Sequence, residues 1–185
     1  MPDFLDKWKQ NLHAEYYEGD SIPVDLEPYD SIINELKDKE EYTRILDIGC
    51  GNGYLVETLN HSANIVYGIT ICEKEGNRDN VYVHDMHDLP FVDNMFDVVI
   101  AQHSLEHALS PVLVLREINR VLVPNGLLIV DTPVTPGGVE GGNKAHFYTF
   151  SCDQYIDMLK KNGFIINKAE YIKDYFRIHA YKGDR

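Results

Sequence analysis

Cysteine is scarce in this chain: Cys50, Cys72 and Cys152 are odd in number, widely spaced, and form no Cys-x-x-Cys pair. That excludes a disulfide framework and a cysteine zinc site, and it suits reduced thiols in a cytoplasm. Cations are scarce too, with 17 Lys and Arg against 30 Asp and Glu and a formal net charge of −13. A nucleic acid needs clustered Lys and Arg, so the balance argues against a polyanion as main partner. No apolar run approaches the ~20 residues that cross a bilayer, and Met1-Pro2-Asp3 does not open a signal peptide. The expectation is a cytoplasmic protein with no membrane and no nucleic-acid partner. No internal repeat or low-complexity segment is present. What remains is 185 residues, 44% hydrophobic and 25% charged, enough for one globular domain with a proper core.

The chain is organised around Arg44-Ile45-Leu46-Asp47-Ile48-Gly49-Cys50-Gly51-Asn52-Gly53-Tyr54-Leu55. Ile45, Leu46 and Ile48 suit a buried parallel strand, apolar on both faces. Three glycines then let the backbone turn sharply and approach a ligand without Cβ interference. Tyr54, Leu55, Glu57 and Leu59 open a helix whose free N–H groups point back at that ligand. A dinucleotide fingerprint reads G-x-G-x-x-G, but here Tyr54 stands where its last glycine would be. Asp47 would also repel a pyrophosphate, whereas a ligand carrying ammonium and sulfonium charges is favoured beside it.

At this stretch the chain resembles the class I S-adenosylmethionine-dependent methyltransferases, of the small-molecule, methyltransferase-11-like type. Their first motif is an apolar strand followed by D-x-G-x-G-x-G, and Asp47, Gly49, Gly51 and Gly53 match it position for position. The resemblance implies S-adenosyl-L-methionine as cofactor, with these four residues among its contacts.

Further motifs follow in order. Ile65 to Ile71 reads as a second strand, and about twenty residues past the glycine loop such folds usually place an acid on the ribose hydroxyls. Thr70 stands there instead, as in the G-[IL]-T-[IL] variant of relatives of the cyclopropane fatty-acid synthases and some glycine-type N-methyltransferases. Ribose contact then falls to the Thr70 backbone, or to Glu73 or Glu75. Cys72 to Asn80 has a turn composition, so a stub replaces the usual helix there. Val81-Tyr82-Val83 is a third strand, followed by His84-Asp85-Met86-His87-Asp88-Leu89-Pro90-Phe91. Two His and two Asp within five residues raise a metal site, yet Leu-Pro-Phe signals an irregular loop without helical spacing. The stretch matches the family's third motif, which implies Asp85 on the adenine amino group and Met86 against the ring; no metal is expected.

Asn94 to Gln102 turns into a nearly apolar and therefore central fourth strand. It ends at Gln102-His103-Ser104-Leu105-Glu106-His107, where residues face the ligand crevice of an open α/β sheet. Gln102 is read as a cofactor contact. His103, Glu106 and His107 are candidates for proton transfer, and the resembled family carries an x-L-E-H segment here, so the two His divide between that chemistry and holding the loop. Ser110-Pro111 starts a helix through Leu122, and L-R-E-I-N-R-V-L-V-P-N-G-L-L resembles the family's L-x-E-x-x-R-V-L-x-P-G-G-x-L. Asn125 replaces the first glycine and tolerates the same left-handed turn. After a fifth strand, Leu127 to Val130, a Gly/Pro-rich loop runs from Asp131 to His146. Such loops often carry substrate contacts, and His146 is either a base or the residue that pins the loop. Ser151 caps a helix closed by Asn162-Gly163, and Phe164–Ile166 with Ile172–Tyr181 suit a final antiparallel pair.

The first forty residues are aromatic and polar. Trp8, Leu12, Tyr16 and Tyr17 form one stripe of a helix, and Pro28 opens a second with Tyr29, Ile32, Ile33 and Leu36 as its apolar face. In the resembled family this region lies over the cofactor, which makes Tyr17 a candidate cover for the methionine end; packing alone also accounts for it. The domain expected is single, with a helical cap over 1–40 and a Rossmann-like core over 41–185. Its fold is an α/β three-layer sandwich, a seven-stranded mostly parallel sheet with one antiparallel strand. The activity implied is methyl transfer to the oxygen or nitrogen of a small-molecule acceptor, by a monomer or homodimer. The alternatives are an adenosylmethionine-binding protein without methyl transfer, or a cofactor-cleaving enzyme.

Overall fold

A computed structural model describes residues 27–37, 44–60, 65–72, 78–134 and 147–184. One seven-stranded sheet runs through it in the order β3-β2-β1-β4-β5-β7-β6. Its strands are β1 (Arg44–Ile48), β2 (Ile65–Thr70), β3 (Val81–Val83), β4 (Phe96–Gln102), β5 (Leu122–Pro133), β6 (Phe164–Ile172) and β7 (Tyr175–Lys182). Neighbours from β3 to β5 are parallel, while β7 is antiparallel to both β5 and β6. This is the expected Rossmann-like sheet with a single reversed strand. Helices α1 (Glu27–Lys37), α2 (Tyr54–Leu59), α3 (Pro111–Val121) and α4 (Cys152–Lys161) flank it.

The central strands are apolar on both faces because both are covered. Ile45, Val66, Val98, Ile100 and Ile129 pack on one side with Ile32 and Leu36 of α1 and Leu55, Val56 and Leu59 of α2. Leu46, Ile48, Val99, Ala101, Leu128 and Val130 pack on the other with Val114, Leu115 and Ile118 of α3 and Tyr155 and Leu159 of α4. Three layers follow directly from that alternation. The helix expected from Pro28 is α1, with Ile32 and Leu36 buried. Ser151 does cap α4, through a reciprocal pair with Gln154.

Two segments differ from the sequence expectation. The turn at 123–126 lies inside β5, which pairs Phe96 with Leu122 and then Val98 with Leu127, so the intervening residues bulge out. Asn125 takes φ 60° there, as its residue type allows. The last two strands are also longer on one side and shorter on the other than the pattern suggested. Ile172 pairs with Tyr175 across a two-residue turn, with Lys173 at φ 54°. Neither Lys173 nor Asp174 announces a tight turn, and the polar face of edge strand β6 hid its length. The aromatic stripe around Trp8, Tyr16 and Tyr17 lies outside the described residues, as does the middle of the connection from β2 to β3, residues 73–77.

The L-x-E-x-x-R pattern of α3 proves to be a clamp on the loop after β3. The Leu89 N–H donates to Glu117 Oε2 at 2.9 Å. Arg120 donates to the Leu89 carbonyl at 3.0 Å and the Phe91 carbonyl at 2.7 Å, and to Glu117 at 2.7 Å. Arg120→Ala should therefore strand two carbonyls and a carboxylate. A loss of about 2–3 kcal/mol is expected, the scale of hydrogen bonds to charged groups, read as a lower urea midpoint at unchanged m-value.

Candidate functional site

The carboxyl ends of β1, β2, β3 and β4 lie side by side, so every motif residue that closes a strand faces the same edge of the sheet. The glycine loop is tied to that edge by one acceptor. Gly49 N–H and Cys50 N–H both donate to the Ile69 carbonyl at 2.9 Å, at the end of β2. Gly49, Gly51 and Gly53 adopt φ of 75°, 52° and 75°. A Cβ added to Gly49 would lie 2.5 Å from the Ser104 Cβ, so only glycine lets the β1 loop touch the β4 loop. A Cβ on Gly51 would meet nothing within 4 Å among the described residues. The first position is required by the protein itself, whereas the second is crowded by no described residue.

Asp47 closes β1 and is 2% exposed. Burial alone pushes its carboxyl up to about 7, and no described residue donates a hydrogen bond to it. Thr70 is buried at the end of β2, where its hydroxyl accepts from the Cys72 N–H at 3.1 Å and its carbonyl accepts from the His84 N–H at 3.0 Å. Both groups thus shape the strand end.

The His/Asp segment after β3 is a hydrogen-bonded turn. Asp85 Oδ1 accepts from the His87 N–H at 3.0 Å and lies 2.6 Å from His87 Nδ1. His87 Nε2 accepts from the Ser110 N–H at 3.1 Å, which puts the ring proton on Nδ1, facing Asp85. Nδ1 thus closes the loop's own turn at Asp85, and Nε2 fastens the loop to the start of α3. Among the described residues no three His, Cys, Asp or Glu side chains converge as metal ligands. Met86 is 7% exposed and belongs to the core beside Leu89.

His103 follows β4 directly and holds φ 46°, a left-handed value that a non-glycine residue seldom adopts. Its N–H donates to the Asp131 carbonyl at 3.0 Å. The half-exposed ring lies edge-on to Tyr175 at 5.5 Å and its Nδ1 is 3.6 Å from Glu106 Oε1. Burial tends to lower its pKa, but the Glu106 carboxylate, then Asp131 and Asp174, lift it above the ordinary imidazole value. Buried Gln102 Oε1 and Ser104 Oγ meet no hydrogen-bond partner among the described residues. His107 is buried in the 3₁₀ turn Leu105–His107, so it faces the interior where His103 faces the edge.

The structure thus gathers Asp47, Gly49, Gly51, Gly53, Thr70, Asp85, Met86, Gln102 and His103 along one edge. Tyr17, Glu73 and His146 lie outside the described residues. Sequence reasoning passed over Ser104, and also Asp131 with Arg177. Arg177 grips Asp131 with two hydrogen bonds, 2.7 and 2.6 Å, and bonds Ser31 Oγ of α1. Asp131 closes a parallel strand, a signal the edge rule offers; Arg177 on the reversed strand carries none.

Residues 46–130 match the family described as Methyltransferase domain. The 27-O-demethylrifamycin SV methyltransferase of Amycolatopsis mediterranei is 31% identical, over 95% of this chain and 74% of that protein. This chain spans less than half of several other methyltransferases that it matches. Among solved structures, the Burkholderia thailandensis 1,6-didemethyltoxoflavin-N1-methyltransferase, with S-adenosylhomocysteine bound, superposes at TM-score 0.78 and 17% identity. That match covers 95% of this chain and 87% of the other. The [4+2]-cyclase SpnF superposes at 0.73 and 21%, over 95% and 91%. These two likenesses show the fold. The chain belongs to the S-adenosylmethionine-dependent methyltransferases, and its cofactor is S-adenosylmethionine.

Asp47 makes a stability prediction. Between pH ~4 and ~7 the folded chain holds a proton that the unfolded chain has lost, so stability falls with rising pH across that window and is level above it. Asp47→Asn removes the cost of a buried charge. At pH 8 the variant should be more stable by roughly 2–4 kcal/mol in urea unfolding. At pH 4 the difference should shrink toward zero.

Proposed function

We propose that this chain transfers a methyl group from S-adenosylmethionine to the oxygen or nitrogen of a small-molecule acceptor. The observation that carries this is Asp47, a buried carboxylate with no described donor, beside a glycine loop whose middle residue is crowded by no described residue. Such a pair fits the cofactor's amino acid end, because an ammonium restores the charge balance that burial removed. When bound, the cofactor supplies a methyl on an electron-poor sulfonium, already reactive toward a nucleophile. The protein's part is alignment, which accounts for a large share of such barriers. Gly49, Gly51 and Gly53 cradle the ligand, Asp85 and Met86 take the adenine, and the Thr70 and Gln102 edge lies between.

His103 Nε2 takes the proton of a hydroxyl acceptor in this reading. The rifamycin-type relative, whose acceptor is a small molecule, supports the substrate class. No helix among the described residues is long and apolar enough to cross a membrane, and we place the reaction in the cytoplasm. A cofactor-binding protein without methyl transfer is the second reading. It is favoured by Thr70, whose hydroxyl already accepts from Cys72, and the two readings divide on whether an acceptor panel yields S-adenosylhomocysteine.

Four outcomes are expected. Gly51→Val, folded by circular dichroism, should lose S-adenosylhomocysteine binding in calorimetry; retained affinity would remove the reading of the cradle. In the wild type, affinity should weaken about tenfold per unit as pH falls below ~7, because Asp47 then carries a proton. His103→Ala should lower turnover of a hydroxyl acceptor by about 10²–10⁴-fold with cofactor affinity unchanged. The rate of the wild type should fall as pH drops through a value above the free-imidazole range.

A further inference from the structure

The turn after β4 buries a carboxylate, Glu106, inside the Leu105-Glu106-His107 segment. Glu106 is 2% exposed, and neither of its oxygens meets a hydrogen-bond partner among the described residues. A buried carboxylate without donors is costly, so its retention calls for a compensating role. Its near neighbour is the His103 ring, Nδ1 to Oε1 at 3.6 Å, three residues back along the same turn.

The surroundings hold the carboxylate in place. The Phe147 N–H donates to the Glu106 carbonyl at 3.0 Å, and the His107 N–H to the Ser104 carbonyl at 3.1 Å. Below it lies the fully buried Tyr155, whose hydroxyl is raised by burial and then by the Glu106 charge. Tyr155 and Thr132 likewise present buried oxygens with no hydrogen-bond partner among the described residues. His103 Nδ1 is the nitrogen that stands within ion-pair reach of this carboxylate, at 3.6 Å.

We infer that Glu106 is a positioning residue that holds the Nδ1–H of His103 and so presents Nε2 toward the crevice as the proton acceptor. The inference rests on the methyl-transfer reading for its catalytic meaning. A 3.6 Å separation is longer than a hydrogen bond, and pairs of this kind tighten when an active site fills. The left-handed backbone at His103 is consistent with a ring aimed by its surroundings against local preference. As a hydroxyl acceptor gives up its proton to Nε2, the ring becomes cationic, and the adjacent carboxylate balances that charge. Other ionisable groups face the same ring: Asp131 from β5, its partner Arg177 and Tyr175 from β7, and Asp174 from the turn before β7. With Asp131 neutralised by Arg177, Glu106 is the dominant charge on Nδ1.

The test uses the whole chain in three forms: wild type, Glu106→Gln and Glu106→Asp. Nuclear magnetic resonance titration of ¹³C-labelled imidazoles, with the His103 signal assigned from its absence in His103→Asn, requires no acceptor. Glu106→Gln should lower the His103 pKa by about 1 unit, as expected for losing an opposite charge at this range. With a hydroxyl acceptor found in a panel of phenols and alcohols, kcat should fall about 10–100-fold at unchanged acceptor KM. The acid limb of the pH profile should move down with the imidazole. Glu106→Asp, whose charge is kept but withdrawn by one methylene, should recover part of both effects and serves if the Gln variant does not fold. An unmoved His103 pKa in either folded variant overturns the pairing. A lowered pKa with kcat intact overturns its catalytic meaning. Calorimetry with S-adenosylhomocysteine reads the cofactor assignment separately: unchanged binding in the variants alongside a pKa shift supports the inference. Failure of the wild type to bind would sink the methyl-transfer reading and leave the pairing to stand on the titration.

Discussion

The site depends on two backbone N–H groups sharing one carbonyl. Gly49 and Cys50 both donate to Ile69, which fastens the loop after β1 to the end of β2. With that anchor set, the loop has one course open to it, across the top of β4, and Ser104 is close enough to forbid any side chain at Gly49. The crevice exists because these strand ends are parallel and in register, Ile48 beside Ile69 and Asp47 beside Ile100. A shift of one residue in β1 would turn Asp47 to the other face and break the cradle.

The electrostatics of this edge are uneven by construction. Asp47, Glu106, Asp131 and Asp174 all lie at or near it, and the described cation that answers them is Arg177, matched to Asp131. A buried ion pair of this kind adds little net stability, since desolvation offsets much of the attraction. It does remove one charge from the balance and tie β5, β7 and α1 together through Ser31. The carboxylates left over favour a cationic ligand at Asp47 and a protonatable ring at His103. An overall charge of −13 is consistent with such an edge without explaining it.

The loop after β3 shows how a stretch without regular structure can still be rigid. Glu117 and Arg120 hold its far half from one side of α3, and His87 reaches the first turn of the same helix at Ser110. Asp85 is fixed as a by-product, because the ring of His87 donates back to it. Two of the four ionisable side chains that resemble a metal site on paper, Asp85 and His87, thereby hold the loop's own geometry.

Much of this was legible in the linear chain, and the reason is local. Strand, glycine loop and helix are set by residue types at short range, as are the Asn125 turn, the Ser151 cap and the apolar double-faced strands that imply three layers. Asp47 and the three glycines needed no tertiary knowledge, because the motif lies in their spacing along the chain. The hairpin at Lys173-Asp174 and the reach of β6 were hidden, since an exposed edge strand has no burial pattern to display. The fate of the histidines was hidden for a different reason. His87, His103 and His107 are alike in sequence, yet one fastens a loop, one faces the edge beside three carboxylates, and one is buried. Proton affinity depends on charges brought near through space: Glu106 stands three residues along the same turn, but Asp131 and Asp174 reach His103 only after the sheet has closed.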